Sequence, residues 1–306
     1  MSGQFDVVII GAGPAGLSAA IYTGRARLNA LVLEKGIPGG QILITDWIEN
    51  YPGFPDGAAP FELMENFRKQ AVKFGAQIVT DEAREIRRDG DRWVVRGGKA
   101  DYPARAVIVT TGAAYRRLGL PSEAKLIGRG VSYCATCDGP FFRDREIAVV
   151  GGGDTALMEA EFLTKFAGAV HLIHRRDKLR GTKILQERVS ANPKIVFHWN
   201  SVVDEIRGEA NLEGVVLKNV KDDSRSTLSI EGLFISIGMD PTNEIVKGLL
   251  KLNEWGEIVV DEKMATSAPG IYAAGDVIAG APHQVATSVG TGVHAAISVD
   301  EYLSTK

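Results

Sequence analysis

The sequence predicts an α/β protein made of two nucleotide-binding units, the second inserted into the first. Three observations carry this reading. A strand, glycine turn, helix and strand occur twice; a third glycine element late in the chain has the form of a strand ending on a carboxylate; and both joints between the units fall at strand ends followed by glycine or turn residues. At 306 residues the chain has the length of about two domains.

The first copy runs from Phe5-Asp6-Val7-Val8-Ile9-Ile10 into Gly11-Ala12-Gly13-Pro14-Ala15-Gly16. A helix is expected from Leu17 to about Arg27, followed by the apolar Ala30-Leu31-Val32-Leu33 ending on Glu34. The second copy runs from Ile147-Ala148-Val149-Val150 into Gly151-Gly152-Gly153-Asp154-Thr155-Ala156, then a helix to about Phe166 and Val170-His171-Leu172-Ile173 ending on His174-Arg175-Arg176. In both, the residue closing the second strand lies 23 positions after the first glycine. This is the Rossmann-like fingerprint: the glycines allow a tight turn and bring backbone N–H groups and a helix N-terminus to a pyrophosphate. An ordinary glycine-rich loop would lack the flanking strands.

The copies differ at the closing residue. Glu34 can accept hydrogen bonds from a ribose 2′-hydroxyl and would repel a 2′-phosphate, so the first site reads as FAD or NAD. His174 stands there in the second copy, followed by Arg175, Arg176 and Arg180. Guanidinium groups form charge-assisted, bidentate bonds to phosphate, so the second site reads as NADP. The competing reading is a solvated basic segment.

The third element, Gly270-Ile271-Tyr272-Ala273-Ala274-Gly275-Asp276, sets a carboxylate at a strand end, placed for a ribityl hydroxyl of a flavin; Gln284-Val285-Ala286-Thr287 then opens a small-residue helix. A plain strand-turn-helix fits the same residues. If this tail completes the first site, the first domain is 1–113 with 243–306 and the second is 114–242. The joints are then Thr111-Gly112-Ala113-Ala114 and Gly238-Met239-Asp240-Pro241-Thr242-Asn243. Arg92-Trp93-Val94-Val95-Arg96 alternates as in an antiparallel meander.

Composition narrows the function classes. Apolar content of 45% and charged content of 24% suit a globular chain, and a net charge of -3 argues against nucleic acid or an anionic membrane surface as partner. The first strand candidate leaves no room for a leader, and no uncharged run reaches bilayer length, so the expected compartment is the cytoplasm. The two cysteines are separated by two residues, in Val131-Ser132-Tyr133-Cys134-Ala135-Thr136-Cys137-Asp138-Gly139. Such a spacing allows a small disulfide ring that opens and closes readily, with Asp138 as a proton donor or acceptor. A zinc site needs four ligands, and no second C-x-x-C occurs. Inert buried thiols are the remaining alternative. Two nucleotide sites beside the pair favour redox work, because a flavin couples nicotinamide hydride transfer to thiol chemistry.

With these residues in view, the whole chain resembles the low-molecular-weight thioredoxin reductases. The matching stretches are Gly11 to Gly16, Gly39-Gly40-Gln41, Glu49-Asn50-Tyr51-Pro52-Gly53, Thr111-Gly112, Cys134 to Gly139, Gly151 to Ala156, His174-Arg175-Arg176 with Arg180, and Ala273-Ala274-Gly275-Asp276-Val277. The resemblance implies FAD on Gly11, Gly13, Pro14, Ala15, Gly16, Glu34, Lys35, Gly40, Gln41, Thr45, Asn50, Ala83, Thr111, Gly112, Gly275, Asp276, Gln284, Val285 and Ala286. It implies NADPH on Gly151, Gly153, Asp154, Thr155, Ala156, His174, Arg175, Arg176, Arg180, Ile237 and Gly238. It further implies a homodimer, a domain rotation and thioredoxin or a similar protein as acceptor. Cys137 would face the flavin, Cys134 would attack the acceptor disulfide, and Asp138 would manage the proton. Phe141 and Phe142, with Arg129, are expected either to grip the partner or to serve ordinary packing. The chain departs from the family pattern at His283 (usually Arg), Pro140 (often Phe), Gly181 (usually Ala), and Ile44 and Trp47 (threonines). Another acceptor, such as a peroxiredoxin- or glutaredoxin-like protein, oxygen in a dithiol oxidase, or a ferredoxin-driven reaction, stays open, as does a non-catalytic flavin redox sensor.

Overall fold

The structure is a computed structural model describing residues 4–44, 47–48 and 50–305. Thr45 and Glu49 lie outside the described residues. The chain divides into two compact units, Met1–Ala114 with Asp240–Lys306, and Tyr115–Met239.

In the first unit the strand order is Gln77–Thr80, Ala30–Glu34, Phe5–Ile10, Asp101–Val109, Arg92–Gly97, Ala83–Asp89, and Ile271–Ala273 also pairs with Asp101–Val109. Ladders around Phe5–Ile10 are parallel, with Val7 opposite Ala30 and Ile10 opposite Val109. The alternating run Arg92–Gly97 is antiparallel to both its neighbours. Phe5–Ile10 is an unbroken apolar run because both sheet faces are covered. Val7 and Ile9 pack with Leu17, Ala20, Ala295 and Val299, whereas Val8 and Ile10 pack with Trp93, Val95, Ile271 and Val246.

Helix Pro14–Arg25 begins three residues before the expected Leu17, with Pro14 in its first turn, where a missing N–H costs nothing. It lies against the 20-residue helix Val285–Ser304. Their backbones come so close that a Cβ built on Gly292 would sit 2.2 Å from the Ala15 carbonyl oxygen.

In the second unit a parallel sheet runs Ile195–Trp199, Ala169–His174, Glu146–Val150, Gly232–Ile235, Val131–Ser132. Helix Asp154–Leu163 packs on it through Leu157, Ala160 and Leu163 against Ile147, Val149, Leu172 and Phe234. A three-stranded antiparallel sheet, Ser201–Arg207, Gly214–Asn219 and Arg225–Leu228, completes the unit. In each unit the central strand ends between neighbours reached in opposite directions, the place where open α/β sheets bind ligands. Among the described residues no helix is long and apolar enough to cross a membrane.

Candidate nucleotide and redox sites

The first glycine turn follows Ile10. Gly11 has φ +105°, and a Cβ there would lie 2.4 Å from the Thr110 carbonyl oxygen, so only glycine fits. Gly13 caps helix Pro14–Arg25, whose first turn carries no acid, and its positive end remains available to an anion. Glu34 closes the neighbouring strand and accepts the Ala12 N–H at 2.8 Å and the Gly36 N–H at 2.9 Å. The carboxylate is thereby fixed beside the turn, with lone pairs left for a ribose hydroxyl.

Gly40 approaches the same turn, since a Cβ on it would be 3.2 Å from Gly13 Cα. Lys35 and Gln41 are exposed nearby in sequence, and Ala83 opens the strand that follows the Glu34–Thr80 pair. At the end of Ile271–Ala273, the Gly275 N–H donates to Thr291 Oγ1 at 3.0 Å, and Asp276 Oδ1 accepts from Ser288 Oγ at 3.0 Å. Asn50 Nδ2 donates to Gln284 Oε1 at 3.1 Å, joining two predicted flavin residues 234 positions apart at the start of the helix carrying Val285 and Ala286. The Thr111 hydroxyl is bound to the Thr242 carbonyl at 2.5 Å, and Gly112 (φ +68°) has open space where a Cβ would be. The Gly11 turn, Glu34, Gly40 and the Asp276 strand end leave backbone N–H groups and carboxylate oxygens suited to a dinucleotide.

His283 stands in the same region, with Nδ1 buried, lacking a hydrogen-bond partner among the described residues, and 3.8 Å from Asp276 Oδ1. The Asp276 carboxylate raises its pKa above the ordinary value, against the opposing effect of burial, and Glu257 adds to the rise.

In the second unit Gly151 meets the Ser236 carbonyl, where a Cβ would lie 2.4 Å from the oxygen. Gly153 caps helix Asp154–Leu163, with Asp154, Thr155 and Ala156 in its first turn. Asp154 Oδ1 accepts the Thr182 N–H at 2.6 Å, and the Arg180 N–H donates to the Gly152 carbonyl at 2.7 Å, so the basic loop is stitched onto the glycine turn. Arg175, Arg176 and Arg180 are exposed, and no ion pair or hydrogen bond engages their guanidinium groups among the described residues. Ile237 and Gly238 (φ +106°) follow Ser236 beside the turn.

His174 is placed differently from the arginines. It is 5% exposed, its ring covers Gly152, and Nε2 donates to the Lys178 carbonyl at 3.0 Å. Burial lowers its pKa, so it supports the turn as a neutral imidazole rather than reaching outward as a cation.

Cys134 and Cys137 form a disulfide with Cα atoms 5.3 Å apart. Cys134 caps the short helix Ala135–Asp138, and its carbonyl receives the N–H groups of Cys137 and Asp138 at 3.2 and 3.1 Å. The Ser132 hydroxyl accepts the Cys134 N–H at 3.1 Å and donates to Asp138 Oδ2 at 2.5 Å. The Ser132 hydroxyl thus links the Asp138 side chain to the backbone of Cys134. The sequence reading missed Ser132; its position two residues before the first cysteine was the available signal. Phe141 is 45% exposed, whereas Phe142 packs edge-on against Phe234, so only the former is free to meet a partner.

The chain matches the family model described as pyridine nucleotide-disulphide oxidoreductase over residues 5–292. A thioredoxin reductase of Streptomyces coelicolor is 48% identical over 99% of this chain and 95% of its own length. One of Bacillus subtilis is 46% identical over 98% and 95%. The crystal structure of thioredoxin reductase from Streptococcus pyogenes superposes with a TM-score of 0.95 at 44% identity, covering all of both chains.

Proposed function

Since this chain belongs to the pyridine nucleotide-disulphide oxidoreductase family, we propose that it is a thioredoxin-disulfide reductase, moving electrons from NADPH through FAD and the Cys134–Cys137 disulfide to oxidised thioredoxin. The observation that carries the reading is a disulfide with an adjacent bound carboxylate in the same unit as an arginine-flanked glycine turn. The acid-closed turn of the other unit supplies the flavin site.

FAD, bound on the first turn, would supply the step that accepts hydride from NADPH and delivers two electrons to the disulfide. Gly11 and Gly13 would cradle the pyrophosphate, Glu34 would take a ribose hydroxyl, and Asp276, oriented by Ser288, would take a ribityl hydroxyl. Asn50 and Gln284 position each other at the flavin end. Gly151 and Gly153 hold the second pyrophosphate, and Arg175, Arg176 and Arg180 receive the 2′-phosphate.

Two electrons break the Sγ–Sγ bond; one sulfur departs as thiolate and the other takes a proton. Asp138, held by the Ser132 hydroxyl beside the first cysteine, is the group placed to exchange that proton. The Cys134 thiolate attacks the thioredoxin disulfide, and Cys137 then displaces the reduced thioredoxin and restores the ring. The proposed NADPH turn and the disulfide belong to one unit and the proposed flavin turn to the other, so the reading requires the two to reach the flavin alternately. The same reading includes a homodimer working in the reducing cytoplasm, where the pair can cycle.

The test is anaerobic stopped-flow reduction with NADPH or NADH, followed by addition of thioredoxin. Rapid flavin bleaching by NADPH and reoxidation by thioredoxin are expected. Slow bleaching would leave a flavin sensor, and reoxidation by oxygen or another protein alone would reassign the acceptor.

A further inference from the structure

Behind the redox segment lies a carboxyl that the proposed electron path does not use. Glu159 projects from helix Asp154–Leu163, the helix that starts at the second glycine turn. It accepts hydrogen bonds from the Ser236 hydroxyl and from the backbone N–H of Ala135, the residue directly after Cys134. No lysine, arginine or histidine side chain pairs with it among the described residues. The acid therefore joins three things: the helix of the nucleotide turn, the strand end at Ser236, and the peptide between the two cysteines.

We propose that Glu159 is a positioning residue for the disulfide, tying its helix to the nucleotide turn and taking up a proton when Cys134–Cys137 is reduced. The inference rests on the redox reading of the pair. Reduction breaks the Sγ–Sγ bond, adds two electrons and leaves one thiolate after one thiol is protonated. That thiolate appears next to the Ala135 peptide whose N–H the partly buried Glu159 carboxyl accepts, and two neighbouring anions raise each other's proton affinity. Burial already raises the Glu159 pKa, while the Ser236 and Ala135 hydrogen bonds oppose the rise. Other titratable groups on the adjoining elements have partners of their own: Asp138 with Ser132, Asp154 with the Thr182 N–H, Glu161 with Arg188, Tyr133 with Glu123, and Glu146 with His171. Among the described residues no cation pairs with Glu159, and a second proton is the available compensation.

The measurement is the midpoint potential of the Cys134–Cys137 couple against pH in the full flavin-loaded chain. Dithiol–disulfide buffers are used with alkylation and mass spectrometry. A chemical reductant replaces NADPH, so failure of the nucleotide or acceptor assignment does not alter the readout. The parent protein should show an extra proton's worth of slope across a limited pH window. Glu159→Gln keeps an acceptor for the Ala135 N–H and should abolish the extra slope. Ser236→Ala removes a hydrogen bond that favours the carboxylate, and should keep the extra slope but move its window to higher pH. An unchanged profile in folded Glu159→Gln overturns the proposal. If that variant loses its fold, an unmoved window in Ser236→Ala overturns it instead.

Discussion

Removing one guanidinium from the Arg175, Arg176 and Arg180 group should cost NADPH far more than NADH. The structure sets the size of the effect. All three side chains are exposed and engage no carboxylate among the described residues, so truncation breaks no ion pair there. Folding stability should therefore change by no more than about 0.5 kcal/mol. A hydrogen bond to a charged partner contributes about 1.5–3 kcal/mol, so each arginine is expected to support roughly 10- to 150-fold in NADPH kcat/KM. Exposure places the result toward the lower end and makes it salt-dependent. NADH lacks the 2′-phosphate and should lose less than about twofold. The assay is steady-state reduction with each nucleotide at low and high ionic strength, for Arg→Gln variants at each position and for the triple variant. Equal losses for both nucleotides would refute the 2′-phosphate assignment. So would a preference indifferent to salt.

Cys134→Ser and Cys137→Ser should each retain bound FAD and lose thioredoxin reduction; full turnover in either variant would sink the dithiol path. Gly292→Ala should destabilise the first unit by about 1–3 kcal/mol and loosen FAD, because the new Cβ meets backbone of Ala15 rather than a yielding side chain. Denaturant midpoints and flavin content would show it. Burial lowers the pKa of His174 and of His198, the latter also facing His171, so both are kept neutral in the fold. Their contribution is complete above the ordinary value of 6.5 and is lost as pH falls through the lower folded values. Stability should fall on acidification through this range, and less steeply in His198→Asn; an identical pH dependence would show that His198 carries none of the effect.

What could be read from the sequence was local. The two glycine turns, Glu34, the arginines and C-x-x-C each declare themselves within a few residues, because turn geometry and thiol spacing are short-range constraints. The helix start at Pro14 was missed by three residues, since proline looks like a breaker unless its first-turn role is considered. His174 looked like one of the basic group; burial against Gly152 separated it from the arginines, and burial is a tertiary property. Ser236 and Glu159 reach Ala135 from distant parts of the chain, and neither lies in a motif that marks it. The sheet Ser201–Leu228 went unread because its last strand is mostly exposed and polar, which blurs the alternation that identifies a half-buried strand.

The redox segment owes its position to strand polarity. Val131–Ser132, Gly232–Ile235 and Glu146–Val150 are adjacent and parallel, with Phe234 opposite both Ser132 and Val149. Parallel strands finish at one sheet edge, so the residues just past their ends, Cys134, Ser236 and Gly151, emerge together. Two of these strands are tied further by the contact of Gly151 with the Ser236 carbonyl, and Glu159 adds the third through Ala135. Disulfide, carboxyl and nucleotide turn are thus carried by one rigid edge. The hydrogen bonds that hold the disulfide, the carboxyl and the nucleotide turn together therefore all lie within one unit.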